Sequence, residues 1–449
     1  MSEQYRQARL SRDPRFDGQF FIAVKTTGIF CRPVCPAAPP LENNVEYYAL
    51  AHQAMQAGYR PCLRCRPDSA PESPAWRGVD TTVERGLRLL TDNPEQNIKK
   101  IADRLGITDR YFRALLQRHI GVSPKQYRLF EQLLFAKQLL HQGQLSVEQV
   151  AQASGFTSAR RLQTHMKSIT GLTPSQIRKR KRNVNGQHIR VTLPFRPPYA
   201  WPFIRDFLAR RMVKQVEQVT DNSYARHVTF GEVRGWFRAT FDDQRCYFDV
   251  EIELDDIRML KPLLTKIRRI LDLQCDPILI QSALLSAGVA SQDILHGLRI
   301  PGVWDTFEAG CRAILGQQVS VKAAHQLLNT LVMHVGRREN DRRYFPTPQQ
   351  VADAPLQELK MPDSRRQTLR HFAQHMAAHA DAASPQDWLQ LKGIGPWTVA
   401  YMQLRGESAP DIWLESDLVI KKQIDKHRVT AQRAAPWRSY LTLQLWSMA

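Results

Sequence analysis

The sequence predicts a multidomain α+β protein: a small cysteine-bearing domain, an all-α domain of two helix-turn-helix units, a small antiparallel α/β lobe and an all-α lobe. Three observations predict it. Two pairs of closely spaced cysteines stand near the N-terminus, one helical motif occurs twice between residues 101 and 174, and alternating stretches after Ile189 give way to helical periodicity near Leu260. The 449 residues suit three or four domains, at about 100–200 residues each.

Composition narrows the function. No run of about eighteen apolar residues occurs, and Met1–Phe16 is polar and charged where a signal peptide would be apolar. We therefore expect a soluble, cytoplasmic protein with no membrane partner. The net charge is +20, of which residues 1–190 carry +15 and residues 191–449 only +5. A basic excess over folded, Pro- and Cys-punctuated sequence points to nucleic acid.

Cys31 and Cys35 enclose three residues, Cys62 and Cys65 enclose two, and 26 residues separate the pairs. Each pair lies on a tight turn, Phe30–Cys35 and Arg60–Pro67, so two knuckles can close a tetrahedral thiolate shell of the kind Zn²⁺ accepts. Such a centre can be a purely structural staple. It can also be chemical, because a zinc-bound thiolate stays deprotonated and nucleophilic. Spacing alone leaves both open. Cys246, Cys275 and Cys311 are scattered and read as core fillers in a reducing compartment.

Ala70–Pro74 reads as a linker. Beyond it, Ile101–Thr108 is echoed by Val150–Thr157. Each opens a second helix, Asp109–Ile120 or Ser158–Thr170, followed by Gly-Val-Ser-Pro (Gly121–Pro124) or Gly-Leu-Thr-Pro (Gly171–Pro174). Gly106 and Gly155 carry the turns. The second helices are stocked with Arg, Gln, His and Lys and are candidates for the major groove, with Arg110, Arg113, Arg160 and Arg161 as contacts. Two on one chain could enter successive grooves, about 34 Å apart, without dimerisation, so a monomer is expected. A helical hairpin within a core is the plain alternative. The basic run Arg178–Arg182 is a solvated linker, a phosphate contact, or both.

In the back half, His227–Phe230, Gly235–Thr240 and Tyr247–Leu254 read as antiparallel strands, and Phe307–Gln317, Lys322–Val335 and Ser364–His379 as amphipathic helices. Leu391–Thr398 (Leu-Lys-Gly-Ile-Gly-Pro-Trp-Thr) joins two glycines to a proline suited to a first helical turn, leaving N–H groups aimed outward. This is a phosphate-binding hairpin, with Gly393, Gly395 and Thr398 at the DNA. About twenty residues on, Asp417 precedes an apolar-periodic stretch. Alone it reads as a helix N-cap. With the hairpin upstream and Trp397, Tyr401 and Trp437 spaced to line a cleft, it reads as a carboxylate facing a sugar. Trp304, Trp388 and Trp446 read as packing.

With these residues placed, the chain resembles a fusion of two alkylation-repair modules. Residues 1–182 resemble the Ada-type alkylation-response regulator, through Thr27–Cys35, Gly58–Cys65 and an AraC-type double helix-turn-helix. Residues 191–449 resemble AlkA-type 3-methyladenine DNA glycosylases of the helix-hairpin-helix superfamily, through Leu193–Tyr199, Ala313–Ser320, the hairpin, Asp417 and Pro436–Tyr440. The expected domains are a zinc methyl-acceptor domain over 1–75, the helix-turn-helix pair over 80–182, the AlkA-type α/β lobe over 188–300 and the helix-hairpin-helix DNA glycosylase domain over 301–449.

The resemblance implies one Zn²⁺ held by Cys31, Cys35, Cys62 and Cys65, with Cys31 accepting a methyl group from a DNA methylphosphotriester. Zn²⁺ with four thiolates carries a formal charge of about −2 and one methylation leaves about −1, which weakens repulsion from phosphate. The methylated form would then bind promoter DNA and activate transcription with RNA polymerase. The second, Pro-Cys-His-Arg acceptor domain of that regulator has no counterpart in the sequence. Direct reversal of methylated guanine oxygen is not expected.

For the glycosylase half the resemblance implies double-stranded DNA with alkylated bases as substrate. Asp417 would stabilise the sugar cation or act on water, and Trp397, Tyr401 and Trp437 would hold the cationic base. Trp397 stands where backbone-cleaving relatives have a lysine, so a monofunctional hydrolase is expected. No iron–sulfur cluster is expected. Gln318 occupies the position of the residue that wedges into the duplex, although it lacks the apolar character of usual intercalators. The competing view is a sequence-specific transcription regulator with a catalytically idle glycosylase lobe, or a glycosylase whose front half is only a structural-zinc DNA anchor.

Overall fold

The four strands β1 (Phe21–Val24), β2 (Ile29–Cys31), β3 (Val45–Tyr48) and β4 (Arg60–Pro61) form a sheet in the order β3-β1-β2-β4. The β1–β2 turn needs Gly28 in the left-handed region at φ +62°. Strand β4 runs parallel to β2, pairing Ile29 with Arg60 and Phe30 with Pro61. That register sets Cys31, at the end of β2, alongside Cys62, which donates its N–H to the Phe30 carbonyl at 2.9 Å. The computed structural model describes residues 5–6, 9–10, 12, 20–62, 64–65, 67, 81–92, 96–178, 188–379 and 385–449. The Ala70–Pro74 linker and residues 179–182 of the basic run lie outside them.

The chain forms two units, residues 1–187 with 257–262, and 188–256 with 263–449. In the first, the sheet is followed by α1 (Ala51–Gln56), α2 (Thr81–Asp92), α3 (Ile98–Arg104), α4 (Asp109–Ile120), α5 (Pro124–Gln142), α6 (Val147–Ala153), α7 (Ala159–Thr170) and α8 (Pro174–Ile177). Two helix-turn-helix units follow one another as expected, and the local chemistry explains why. Gly106 and Gly155 turn the chain at φ +71° and +76°. Thr108 and Ser158 cap α4 and α7 through their hydroxyls, so the second of these begins one residue after the expected Ser158. The Gly-x-Ser/Thr-Pro signature is a helix stop joined to a helix start. Gly121 and Gly171 end α4 and α7 in the left-handed conformation, and Ser123 with Gln126, or Thr173 with Gln176, closes a capping box around a first-turn proline.

Phe21, Ala23 and Phe30 of the sheet, Ala54 and Met55 of α1, and Leu87, Ile101, Phe112, Leu116 and Phe130 of the first helix-turn-helix belong to one buried cluster. The cysteine sheet is therefore continuous with the helices beside it.

The second unit opens with β5 (Ile189–Pro194), α9 (Trp201–Ala209), β6 (Glu217–Val219), β7 (Ser223–Phe230), β8 (Val233–Asp242) and β9 (Tyr247–Leu254), a five-stranded antiparallel sheet in the order β5-β9-β8-β7-β6. Phe248, Val250 and Ile252 alternate inward along β9. Then come α10 (Leu260–Ile270), α11 (Pro277–Ser286), α12 (Thr306–Leu315), α13 (Val321–Val335), α14 (Pro348–Asp353), α15 (Asp363–Ala378), α16 (Pro385–Leu389), α17 (Pro396–Met402), α18 (Leu418–His427) and α19 (Arg438–Ser447). A buried ionic knot ties the sheet to α12: Arg226 and Arg312 both meet Glu217 and Glu308.

Cys275 and Cys311 are buried, as core fillers should be. Cys246 is not one of them: it is half-buried at φ +54° in the β8–β9 turn, where chain reversal rather than packing governs the position. Among the described residues no helix is long and apolar enough to cross a membrane.

Candidate metal centre and carboxylate cleft

Sγ atoms of Cys31, Cys35, Cys62 and Cys65 all lie within 4.8 Å of one another. Cys62 and Cys65 are buried; Cys31 and Cys35 are half-buried. Backbone N–H groups support three of the four sulfurs: Arg64 donates to Cys62 and Arg32 to Cys65, each at 3.4 Å, and Ala37 donates to Cys35. Among the described residues none donates to Cys31. Hydrogen bonds among the sulfurs, that of Cys35 first, push Cys31 well up, while that of Cys31 pulls Cys62 well down and Cys35 to about 7. Four mutually close sulfurs cannot all be anionic on their own terms, and a divalent cation at their centre removes the conflict. The donor set therefore fits one tetrahedral Zn²⁺.

The exposed face of α4 carries Arg110, Arg113 and Tyr111, and that of α7 carries Arg160, Arg161, Gln163, Thr164 and Lys167. Arg113 is tied to Asp109 one turn back at 3.0 Å, so its charge is shared within the helix.

The hairpin joins α16 to α17. Gly393 sits at φ +88°, and a Cβ there would lie 2.2 Å from the Thr368 hydroxyl oxygen. Gly395 caps α17 in an extended conformation, with nothing within 4 Å of where its Cβ would be. Gln317 donates to the Gly393 carbonyl at 3.0 Å and to the Thr398 hydroxyl at 3.3 Å, tying the end of α12 to the hairpin. Thr398, expected at the DNA, has its side chain turned into the protein. It is 3% exposed, and its hydroxyl braces the hairpin from inside. Gln318, the expected wedge, is exposed at φ +56° in the turn before α13.

Asp417 is a helix N-cap, and its carboxylate also meets two indoles. Its Oδ1 accepts from the N–H groups of Val419 and Ile420 at 3.0 and 3.1 Å, capping α18. The same oxygen takes the indole N–H of Trp446 at 3.4 Å, and Oδ2 takes that of Trp397 at 3.3 Å. Trp397 stacks on Tyr401, with ring centroids 5.2 Å apart at 20°. Tyr401 accepts from Arg405 at 3.1 Å. Trp437 has a ring contact with Tyr440 at 6.1 Å and packs, like Trp397, against the buried cluster that includes Leu414, Ile420 and Leu441.

Family models match three segments: the metal binding domain of Ada over residues 4–68, a helix-turn-helix domain over 101–180 and the AlkA N-terminal domain over 190–305. A Mycobacterium tuberculosis protein described as a probable bifunctional transcriptional activator/DNA repair enzyme AlkA is 34% identical over 99% of this chain and 96% of its own length. The chain belongs to this bifunctional Ada/AlkA family. DNA-3-methyladenine glycosylase 2 of Escherichia coli is 39% identical over 57% of the chain and 96% of its own length. The bifunctional activator and repair enzyme Ada of the same organism is 32% identical over 39% of the chain and 49% of its own length.

In this Ada/AlkA-family chain the motif Pro436–Tyr440 is a clasp. Arg438 makes paired bonds to Asp411 at 2.7 and 2.8 Å. Ser439 accepts from the Ile412 N–H at 2.8 Å, and Tyr440 donates to Asp272 at 2.8 Å. Arg438 and Ser439 hold the loop leading to Asp417, and Tyr440 ties α19 to the residues just past α10. Trp304 and Trp388 are packing, as expected. Trp446, grouped with them, is half-buried and at the carboxylate. Only its place near the end of the chain, one helical turn past Leu443, distinguishes it, and nothing in the sequence marks that turn as facing Asp417.

Proposed function

We propose that the chain performs both activities its relatives' names describe: excision of alkylated purines of the 3-methyladenine type from double-stranded DNA, and acceptance of a methyl group from a DNA methylphosphotriester that switches on transcription. The observation that carries the first is Asp417, held by four N–H donors beside the stacked Trp397–Tyr401 pair. Oδ1 is spent on three of those bonds. Oδ2 accepts one, so it is the oxygen left to face a sugar cation or orient water. A flipped, positively charged purine fits the faces of Trp397 and Tyr401. Trp397 offers no amine at the lysine position of backbone-cleaving relatives, so hydrolysis ends with base release.

For the second activity, Zn²⁺ keeps the coordinated sulfurs deprotonated when bound. Cys31 is the sulfur without a backbone N–H donor among the described residues and is half-buried rather than buried. Its lone pairs are the least tied up, which favours it as acceptor. The Cys31 Sγ–methyl bond forms as the methyl–oxygen bond breaks, and the phosphate leaves as an ordinary diester anion. The two helix-turn-helix faces then engage promoter DNA and RNA polymerase. Two recognition helices in one chain support action as a monomer, and DNA as partner supports a cytoplasmic site. The modules 1–75, 80–182, 188–300 and 301–449 are the division this reading uses.

The test is free-base release from methylated duplex DNA by wild-type and Asp417→Asn protein. Release of methylated adenine by wild type alone supports the enzyme; release by neither leaves a DNA-binding regulator with an idle lobe. Mass spectrometry of Cys31 after exposure to phosphotriester-containing DNA tests the acceptor, and an unmodified Cys31 leaves a structural-zinc anchor.

A further inference from the structure

Trp397 and Tyr401 stand one turn apart on α17 and stack with ring centroids 5.2 Å apart, and the polar atom of each ring meets a charge of opposite sign. The Trp397 indole donates to Asp417 Oδ2 at 3.3 Å, and the Tyr401 hydroxyl accepts from the Arg405 guanidinium at 3.1 Å. The aromatic pair thus has a carboxylate at one end and a guanidinium at the other.

Arg405 is 1% exposed. It sits in a π-helical turn, Gln403–Glu407, that continues α17, and such turns occur frequently at functional sites. Its guanidinium also donates to the Pro301 carbonyl and lies 4.6 Å from the ring centroid of Phe207 and 5.7 Å from that of Tyr401. Among the described residues no carboxylate pairs with it. The acids that face it, Glu308 and Glu217, are each shared by Arg226 and Arg312, so that knot is neutral as a whole. Burial holds the Arg405 guanidinium below its ordinary value; Tyr401 and the two glutamates oppose that, and Arg312 adds to it. An enclosed charge without a counter-ion is costly to keep, and its field is screened less than that of a surface charge.

We propose that Arg405 is the positive pole of the base cleft, a positioning residue that acts from behind Tyr401 to favour the flow of electrons onto the departing base while Asp417 faces the charge that develops on the sugar. The inference rests on the cleft being a glycosylase site. An N-alkylated purine enters as a cation. When its C1′–N9 bond breaks, the electron pair stays on the base, which leaves neutral; the sugar takes hydroxide from water, whose proton goes to solvent. Positive charge therefore moves away from Arg405 and toward Asp417 as the bond opens. Arg405 repels the bound cation more than it repels the transition state, so it weakens binding and speeds release. The faces of Trp397 and Tyr401 supply the binding that Arg405 opposes.

The experiment is single-turnover release of 7-methylguanine from duplex DNA over a range of enzyme concentrations, which separates the maximal rate from the half-saturating concentration. Wild type, Arg405→Met and Arg405→Lys are compared. Arg405→Met should lower the maximal rate by about threefold or more and also lower the half-saturating concentration, by about twofold or more, because the bound cation is no longer repelled. Arg405→Lys keeps the charge and should restore both values toward wild type. A duplex with a tetrahydrofuran abasic analogue offers no base to repel, so the three proteins should bind it equally. If the melting curve shows that Arg405→Met does not fold, Arg405→Gln, which keeps a donor for the Pro301 carbonyl, takes its place. A side chain that merely props Tyr401 would, when lost, slow release and weaken binding together. That outcome overturns the role of Arg405, as do two unchanged values or a lysine variant no better than the neutral one. Wild type that releases no 7-methylguanine overturns the glycosylase reading beneath it.

Discussion

The indole N–H of Trp446 reaches Asp417 Oδ1 at 3.4 Å across 29 residues of sequence, while Trp397 reaches Oδ2 from the other side at 3.3 Å. The carboxylate is clamped between two indoles, and the clamp makes the two tryptophans near the C-terminus separable by experiment. Trp446→Phe removes one donor from the carboxylate and should lower kcat for base release by about tenfold, while Trp437→Phe should change it less than about twofold. Melting curves of both variants close to wild type would place the difference at the site. Equal effects of the two substitutions would contradict it.

Asp417→Asn should lower release by about a hundredfold or more, since it removes the charge that faces the sugar. Asparagine still caps a helix well, so α18 should persist and stability should fall by less than about 1 kcal/mol. A collapse in melting temperature would show that the cap, not the chemistry, dominates this position.

The hairpin glycines should fail in different ways. Gly393→Ala meets Thr368 and a left-handed backbone at φ +88°, and should cost about 1–3 kcal/mol of stability. Gly395→Ala enters open space, so its melting temperature should match wild type. If phosphate approaches the start of α17, Gly395→Ala should weaken DNA binding all the same, and fluorescence anisotropy with duplex DNA measures it. Unchanged affinity would remove this glycine from the interface.

Glu308 gives the second unit a defined acid sensitivity. Burial pushes its carboxyl up, but Arg226 and Arg312 outweigh burial and hold it at about 2. Its contribution is complete above the unfolded carboxylate value, near pH 4.3, and is lost as pH falls through about 2. Glu308→Gln should cost about 3–5 kcal/mol at neutral pH, because it leaves buried guanidinium charge uncompensated. Its stability should also depend less on pH below about pH 5 than that of wild type, in urea unfolding at several pH values.

Metal removal should be felt beyond the cysteines. The sheet that carries Cys31 and Cys62 shares its core with Phe112, Leu116 and Phe130 of the first helix-turn-helix. Stripping Zn²⁺ with a chelator should therefore lower the melting temperature of the N-terminal unit as a whole. A transition confined to the cysteine segment, with the helices unaffected, would show that the shared core transmits nothing.

Local chemistry was legible in the sequence. The cysteine spacing, the glycine stops at Gly121 and Gly171 with the capping boxes that follow, and the alternation along β9 act within a few residues, where backbone preferences and side-chain reach are set by neighbours in the chain. The Asp417 cap is of the same kind. What the tertiary structure decided is which distant groups meet. Helix α19 is buried continuously from Ser439 to Leu445, so it has no exposed face from which to deduce a buried one, and Trp437 and Trp446 could not be ranked by periodicity. Thr398 faces inward, where its hydroxyl accepts from Gln317, 81 residues away. Such contacts depend on how packed elements share space and polar partners, which is a property of the assembled core and not of any segment in it.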